Sequence, residues 1–343
     1  MTGHAFLGSK LPLIQAPMAG IQLSAMAIAV CNAGGVGSLP CAMLAADALR
    51  GELAAMRAGT DRPFNVNFFC HEVHEVDAQR EARWRDALAQ YYRELGIDAT
   101  ALAAGPGRAP FGTDAADLLD EFRPAMVSFH FGLPGEALLA RARRCGARMV
   151  ASATTVAEAL WLERHGADAV IAQGLEAGGH RGHFLSHDLT LQSGTFALLP
   201  QVVAAVRVPV IAAGGIADAA GVAAALGLGA AAVQIGTAYM RCPEATTTAL
   251  HRAALASDAA RHTVLTNLFT GRPARGIVNR LIDELGAISD LPPKFPFPVS
   301  ALAPLRAAAE SAGRADFSPL WCGQNASGCR DVPAAELTRG FFA

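Results

Sequence analysis

The chain reads as an α/β protein: a (β/α)8 barrel, or TIM barrel, with an insertion after the third strand and a C-terminal extension. Three observations lead there. Eight short apolar runs recur along the 343 residues, each followed by a helical pattern. The runs are apolar throughout rather than alternating, as in parallel strands covered by helices on their faces. From Ala125 onward they recur at roughly the ~30 residues of one βα unit, and eight such units in succession favour a closed barrel over an open sheet.

The first three runs are Leu13–Met18, Val36–Leu39 and Phe64–Phe69. An insertion over about residues 70–112 follows, with a polar helix at about Asp77–Leu95 and a Gly/Pro-rich turn at Ala104–Pro110. It leaves strand three at the functional end of the barrel, so it reads either as a lid or wall there or as a surface helix pair without a role. The regular half continues through Ala125–Phe131, Met149–Ala153, Ala169–Gln173, Val208–Ala213 and Ala232–Gly236. Thr155 opens a helix over Val156–His165, with Glu158 in capping-box register. Asp218 opens another over Ala219–Leu226, which Gly227 and Gly229 stop. The barrel domain is expected to span residues 1–257. Residues 258–343 form an extension expected to pack near the barrel mouth, with a helical pattern at Ile277–Leu285, a proline-rich turn at Leu291–Pro298 and a helix at Ala301–Ala312.

Composition narrows the function classes. A formal net charge of -2 supplies no basic field for nucleic acid and no polybasic cluster for a membrane surface. The N-terminus lacks a basic stretch followed by an apolar run, and the apolar span Val222–Met240 is broken by Gly227, Gly229, Gln234 and Gly236. No signal peptide and no membrane span are expected. Seven scattered cysteines without a C-x-x-C pair read as reduced thiols of a cytoplasmic protein, with no structural metal.

The residues suited to chemistry sit at strand ends. Val210–Ile216 carries Gly214-Gly215, and Val233–Thr237 carries Gly236-Thr237. Glycines in these loops let main-chain N–H groups approach an anion, and barrels often hold phosphate there. The other reading is two tight turns. Asn67 and Gln173 are amides in otherwise apolar runs, suited to a ligand edge carrying both donors and acceptors, or to a neighbouring loop. The segment Ala172–His183 holds two histidines, one glutamate and four glycines. Gly178 and Gly179 would bring His180 to the pocket floor as a general base. His183 reads as loop packing and His187 as surface, while His130 ends strand four and points to the same rim. No Ser/His/Asp set and no Gly-x-Gly-x-x-Gly after strand one are present.

Taken together these motifs resemble the nitronate monooxygenases, formerly called 2-nitropropane dioxygenases, of class I type. The resemblance runs from Ile14 to about Leu285, and the string Gln173-Gly-Leu-Glu-Ala-Gly-Gly-His-Arg-Gly182 is its most specific part. It implies FMN as cofactor. Its contacts would be Ala16, Pro17 and Met18 on the opening strand, Asn67, Gln173 and Gly178, with Gly214, Gly215, Gln234, Ile235, Gly236 and Thr237 around the phosphate. It implies His180 as the catalytic base, with a pKa near neutrality, and His130 beside it. The implied reaction is oxidation of alkyl nitronates, or nitroalkanes, by dioxygen to carbonyl compounds and nitrite. A homodimer is compatible with it. His130 and the tail Trp321-Cys-Gly-Gln324 also look familial. The stretch Lys294–Ala303 departs from the pattern, with phenylalanines and apolar residues where the family places tyrosines and a lysine, which points to a larger or more apolar nitronate or to another carbon acid. Three other readings stand beside it: an FMN-dependent NAD(P)H:quinone or enoyl-thioester reductase on the same barrel, a flavin-free phosphate-binding barrel, and a non-catalytic binding barrel.

Overall fold

The computed structural model describes residues 3–98 and 108–343. In chain order the strands are β1 (Leu13–Gln15), β2 (Ser38–Pro40), β3 (Asn65–Phe69), β4 (Met126–His130), β5 (Arg148–Ala153), β6 (Ala169–Gln173), β7 (Gly179–His180), β8 (Val210–Ala213), β9 (Ala232–Ile235), β10 (Thr263–Thr266) and β11 (Ala274–Ile277). Eight of them form one parallel sheet in the order β1-β9-β8-β6-β5-β4-β3-β2. A parallel bridge between Ile14 and Val36, with Gln15 N–H donating to Val36 and Val36 N–H to Leu13, closes β1 onto β2. The expected TIM barrel is therefore present.

The strands are buried on both faces because two cores share them. Outside, Leu39, Val66, Val127, Val170 and Val233 pack against the helical layer. Inside, Ile14, Met126, Val150, Ile171 and Ile211 meet Phe6 and Leu7 of the first helix, Gly3–Leu7, beneath the barrel. Above this apolar interior lies a buried polar layer of Gln15, Ser38, Asn65, Asn67 and Ser128. Most of its groups are paired: Gln22 donates to the Ser38 carbonyl at 2.6 Å, and Asn65 to the hydroxyls of Ser38 and Ser128 at 3.0 and 2.9 Å, while Asn65 Oδ1 is buried without a partner. This layer separates the apolar interior from the cavity at the mouth.

Element ends shift in explicable ways. The first run is strand only as far as Gln15, because Pro17 has no N–H to donate to a sheet. The seventh barrel strand begins after Pro209 for the same reason. Thr155 accepts from Glu158 N at 3.2 Å, and Asp218 from Gly221 N at 2.8 Å, so both predicted caps form. The stretch predicted as helix at Ile277–Leu285 is corrected: Ile277 ends β11, and Asn279 caps a shorter helix, Arg280–Leu285.

The insertion and the extension meet. The helix Ala78–Glu94 is capped by Asp77 and buries Trp84, Leu88, Tyr91 and Tyr92 against Leu302, Leu305 and Phe317 of the extension. Tyr92 donates to the Ala301 carbonyl at 2.6 Å, on the helix Pro298–Ser311. Most of the predicted turn at 104–110 lies outside the described residues. Above the barrel, β10, β11 and β7 form a small antiparallel sheet that the sequence reading did not anticipate. No helix among the described residues is long and apolar enough to cross a membrane.

Candidate active site

The C-terminal ends of the strands surround one cavity. Ala16, Pro17 and Met18 line it from β1, Asn67 from β3, His130 from β4, Gln173 from β6, and Gly178 and His180 from the loop beyond β6. Gly214, Gly215, Gln234, Gly236 and Thr237 line the opposite side. Thirteen of the fourteen residues singled out from the sequence thus line one cavity. Ile235 does not: it is 1% exposed, packs in the outer core, and reaches the mouth only through its carbonyl, which accepts from Ala16 N at 2.8 Å. Its neighbours Gln234 and Gly236 face the cavity because alternate residues of a strand face opposite sides.

The glycine-rich side is built as a cradle. Gly214 and Gly215 have φ of 120° and 72°, a region that disfavours any side chain. A Cβ on Gly214 would lie 2.7 Å from the Thr195 hydroxyl. Among the described residues, the amide protons of Gly215, Ile216, Gly236 and Thr237 have no protein acceptor. The Gln234 carbonyl oxygen is buried and likewise unpartnered. The amides are free to donate to a ligand in the cavity, and the buried Gln234 oxygen is costly unless something there binds it. Donors on one side and an amide carbonyl beside them suit a phosphate joined to a polar heteroaromatic ring, so the residues fit FMN. Glu176 also lines this wall but is spent: it accepts from Thr195 N and its hydroxyl at 2.7 and 2.8 Å, capping the helix Thr195–Ala205.

The histidine side is held by many small contacts. His180 pairs with Ala274 through β7 and β11. Its carbonyl accepts from Gln173 Nε2 at 3.0 Å and from His130 Nε2 at 3.2 Å. His130 Nδ1 meets the Ser152 hydroxyl at 3.0 Å, so both its nitrogens are occupied by protein. Gln173 Oε1 accepts from Gly182 N at 2.8 Å. Beneath the loop, fully buried Arg181 donates to Gly174 O, Gln173 O and Gln192 Oε1 at 2.7–2.8 Å. The amide of Gln173 and the charge of Arg181, one at each end of the conspicuous motif, shape the loop that carries His180.

Burial pushes the His180 imidazole well below its ordinary value, and the positive charges of Arg108 and Arg272 add to the effect. His130 is pushed down to about 3, again mainly by burial. The expectation of a near-neutral His180 is therefore corrected: desolvation disfavours the imidazolium. Rings enclose His180, with the centroids of Trp321, Phe295, Phe131 and Phe69 at 5.5, 5.6, 6.0 and 6.2 Å. Arg272 lies 4.1 Å over the Phe131 ring and donates to the His183 carbonyl, while Arg108 lies 5.6 Å over Phe295. Among the described residues Glu158 and Glu72 favour the charge of Arg272 from a distance, whereas no carboxylate acts on Arg108. Burial lowers both. His183 is 1% exposed with neither ring nitrogen bonded, which agrees with loop packing.

Several lining residues escaped the sequence reading: Arg108, Phe69, Ser152 and Asn325. Arg272 and Phe295 join them beside His180. Ser152 had a signal, as a polar residue in an apolar run, like Asn67. Arg108 and Arg272 had none, because an arginine in a loop ordinarily faces water.

A family model described as nitronate monooxygenase matches residues 3–341. Two proteins named nitronate monooxygenase are similar to the chain. That of Paraburkholderia phytofirmans is 45% identical, over 96% of this chain and 91% of its own length. That of Pseudomonas aeruginosa is 43% identical, over 97% and 95%. The crystal structure of a nitroalkane oxidase from Streptomyces ansochromogenes superposes with a TM-score of 0.89 at 37% identity, covering 99% of this chain and 97% of that one. With its closed barrel, glycine cradle and enclosed histidine, the chain belongs to the nitronate monooxygenase family and is an oxidoreductase of that family.

Proposed function

We propose that the chain binds FMN across the barrel mouth and uses it to oxidise small alkyl nitronates, and the nitroalkanes that ionise to them, with dioxygen to carbonyl compounds and nitrite. The observation that carries the reading is His180, held against the cavity within reach of the positive charges of Arg108 and Arg272. FMN supplies the electron-transfer chemistry, and the protein supplies position and electrostatics. Gly214, Gly215, Gly236 and Thr237 would hold its phosphate, and Asn67 and Gln234 would hydrogen-bond its ring.

An anionic substrate suits this enclosure. The positive charges of Arg108 and Arg272 stabilise a nitronate, whether it arrives ionised or is formed in place. His180 is neutral when the substrate enters. It takes the α-proton of a nitroalkane, and the anion left behind stabilises the imidazolium by its opposite charge. His130 positions the His180 backbone rather than moving a proton, since both its nitrogens are occupied. Phe69, Phe131 and Phe295 exclude water and favour an apolar alkyl group on the substrate.

The test is a visible spectrum of the purified protein, followed by anaerobic addition of propyl nitronate and, separately, NADH. A flavin spectrum that responds to the nitronate and not to NADH is expected. Reduction by NADH alone would move the chain to the reductases, and a colourless protein that takes up no FMN would end the proposal.

A further inference from the structure

We infer that Thr270 fixes His180 as the tautomer protonated at Nε2, so that Nδ1 presents its lone pair to the cavity. The inference rests on the proposed role of His180 as the group that takes the substrate proton. It adds a positioning residue from the C-terminal extension, far from the motif in sequence.

His180 Nε2 lies 2.9 Å from Thr270 Oγ1. That is the one protein hydrogen bond its ring makes among the described residues. Thr270 is 3% exposed, so its hydroxyl has protein partners rather than bulk water. Its second neighbour is the Arg272 carbonyl, at 3.3 Å. A carbonyl can only accept, so the one hydroxyl proton of Thr270 goes to Arg272 O. The Thr270 oxygen then has lone pairs left for His180, and it accepts the Nε2–H. A neutral imidazole carries one proton, which leaves Nδ1 unprotonated.

The turn that presents Thr270 is held firmly. Gly271 has φ of 83°, and a Cβ there would lie 2.4 Å from the Pro293 carbonyl and 2.6 Å from Phe295 N. The turn is therefore pressed against the proline-rich segment of the extension. Gly271 N–H donates to Asn267 O at 2.8 Å, and Arg272 stacks on Phe131. Three residues further on, Arg181 N–H donates to Pro273 O at 2.9 Å, and Ala274 pairs with His180 itself. Thr270 and the His180 backbone are thus set by one continuous segment, 270–274.

The consequence is chemical. With the lone pair on Nδ1, the α C–H bond of a nitroalkane breaks, an Nδ1–H bond forms, and the electron pair of the C–H bond stays on the nitronate. The imidazolium so formed donates from Nε2 to Thr270 and from Nδ1 to the new anion. In the opposite tautomer Nδ1 would carry a proton and could take none.

The experiment is 15N NMR of the FMN-loaded enzyme labelled at histidine, with the His180 signals assigned by their loss in His180→Asn. The wild type is expected to show a protonated Nε2 and an unprotonated Nδ1, and Thr270→Val a mixture or the reverse. Turnover of neutral nitroalkanes is expected to fall about tenfold or more in kcat in Thr270→Val, with KM little changed, and to be restored by Thr270→Ser. A proton on Nδ1 in the wild type, or the same tautomer in Thr270→Val, overturns the inference; the wild-type spectrum decides even if Thr270→Val does not fold. A tautomer that follows Thr270 while nitroalkane turnover does not change upholds the assignment and instead removes His180 from proton transfer.

Discussion

At the scale of single residues, the site is defined by polar atoms that the protein itself leaves unbonded. Gln234 is the clearest: its carbonyl oxygen is buried and lacks a partner, although its strand is otherwise well paired. A cofactor that donates to this oxygen recovers a cost of about 1–3 kcal/mol. Gln234→Leu is therefore expected to weaken FMN binding about tenfold while leaving the melting temperature of the FMN-free protein unchanged or higher. Flavin fluorescence on dilution reads the first effect and calorimetry the second. His180 makes a second prediction. Because burial holds its imidazole neutral, nitroalkane turnover at saturating substrate should stay level as pH falls through 6.5, the ordinary imidazole value. A rate that halves there would show that the imidazole titrates freely.

Among elements, the loop after β6 is the junction of the molecule. Arg181 ties it down from below, β7 pairs it with β11 from above, and the tail segment around Gly323 closes on its side. Gly178 is where that closure is tightest: an added Cβ would lie 2.6 Å from Gly323 N and 2.7 Å from the Cys322 carbonyl carbon. Both are backbone atoms, so relief requires the whole tail segment to move. Gly178→Ala is expected to displace the tail around Trp321–Asn325 and release the cofactor, while far-ultraviolet dichroism remains that of the barrel. Limited proteolysis should then cut near Gly323 in the variant and not in the wild type. Retention of FMN together with protection from protease would show that the tail is free to shift. A glycine in this motif therefore serves the protein's own packing as much as any ligand.

Over the whole molecule, the buried histidines link stability to pH. Burial pushes His130 and His183 down to about 3, His251 down to about 4, and His180 down as well. In the unfolded chain each titrates near 6.5. Below that value the unfolded state binds more protons than the folded one, so stability rises with pH in this range. The contribution is complete above 6.5 and is lost as pH falls toward the folded values near 3 to 4. The urea midpoint is expected to drop steadily between about pH 6.5 and pH 4.5, with little change above pH 7. A midpoint that does not move across that interval would mean these imidazoles are protonated, or solvated, in the folded protein.

The barrel and the cavity wall were largely legible in the chain. Apolar runs such as Phe64–Phe69 and Ala169–Gln173 mark parallel strands because a strand covered on both faces has no polar side to show. Glycines at 214 and 215 and amides at 67 and 173 stand out against those runs for the same reason. What the sequence could not show is which distant side chains complete the enclosure. Arg108, Thr270, Arg272 and Phe295 come from the insertion and the extension, where no periodicity relates them to His180, and packing alone brings them together. The pKa of His180 belongs with them. An imidazole's intrinsic basicity is a property of the residue, but its shift depends on how much water is removed and which charges are near, and both are settled only when the chain has folded around it.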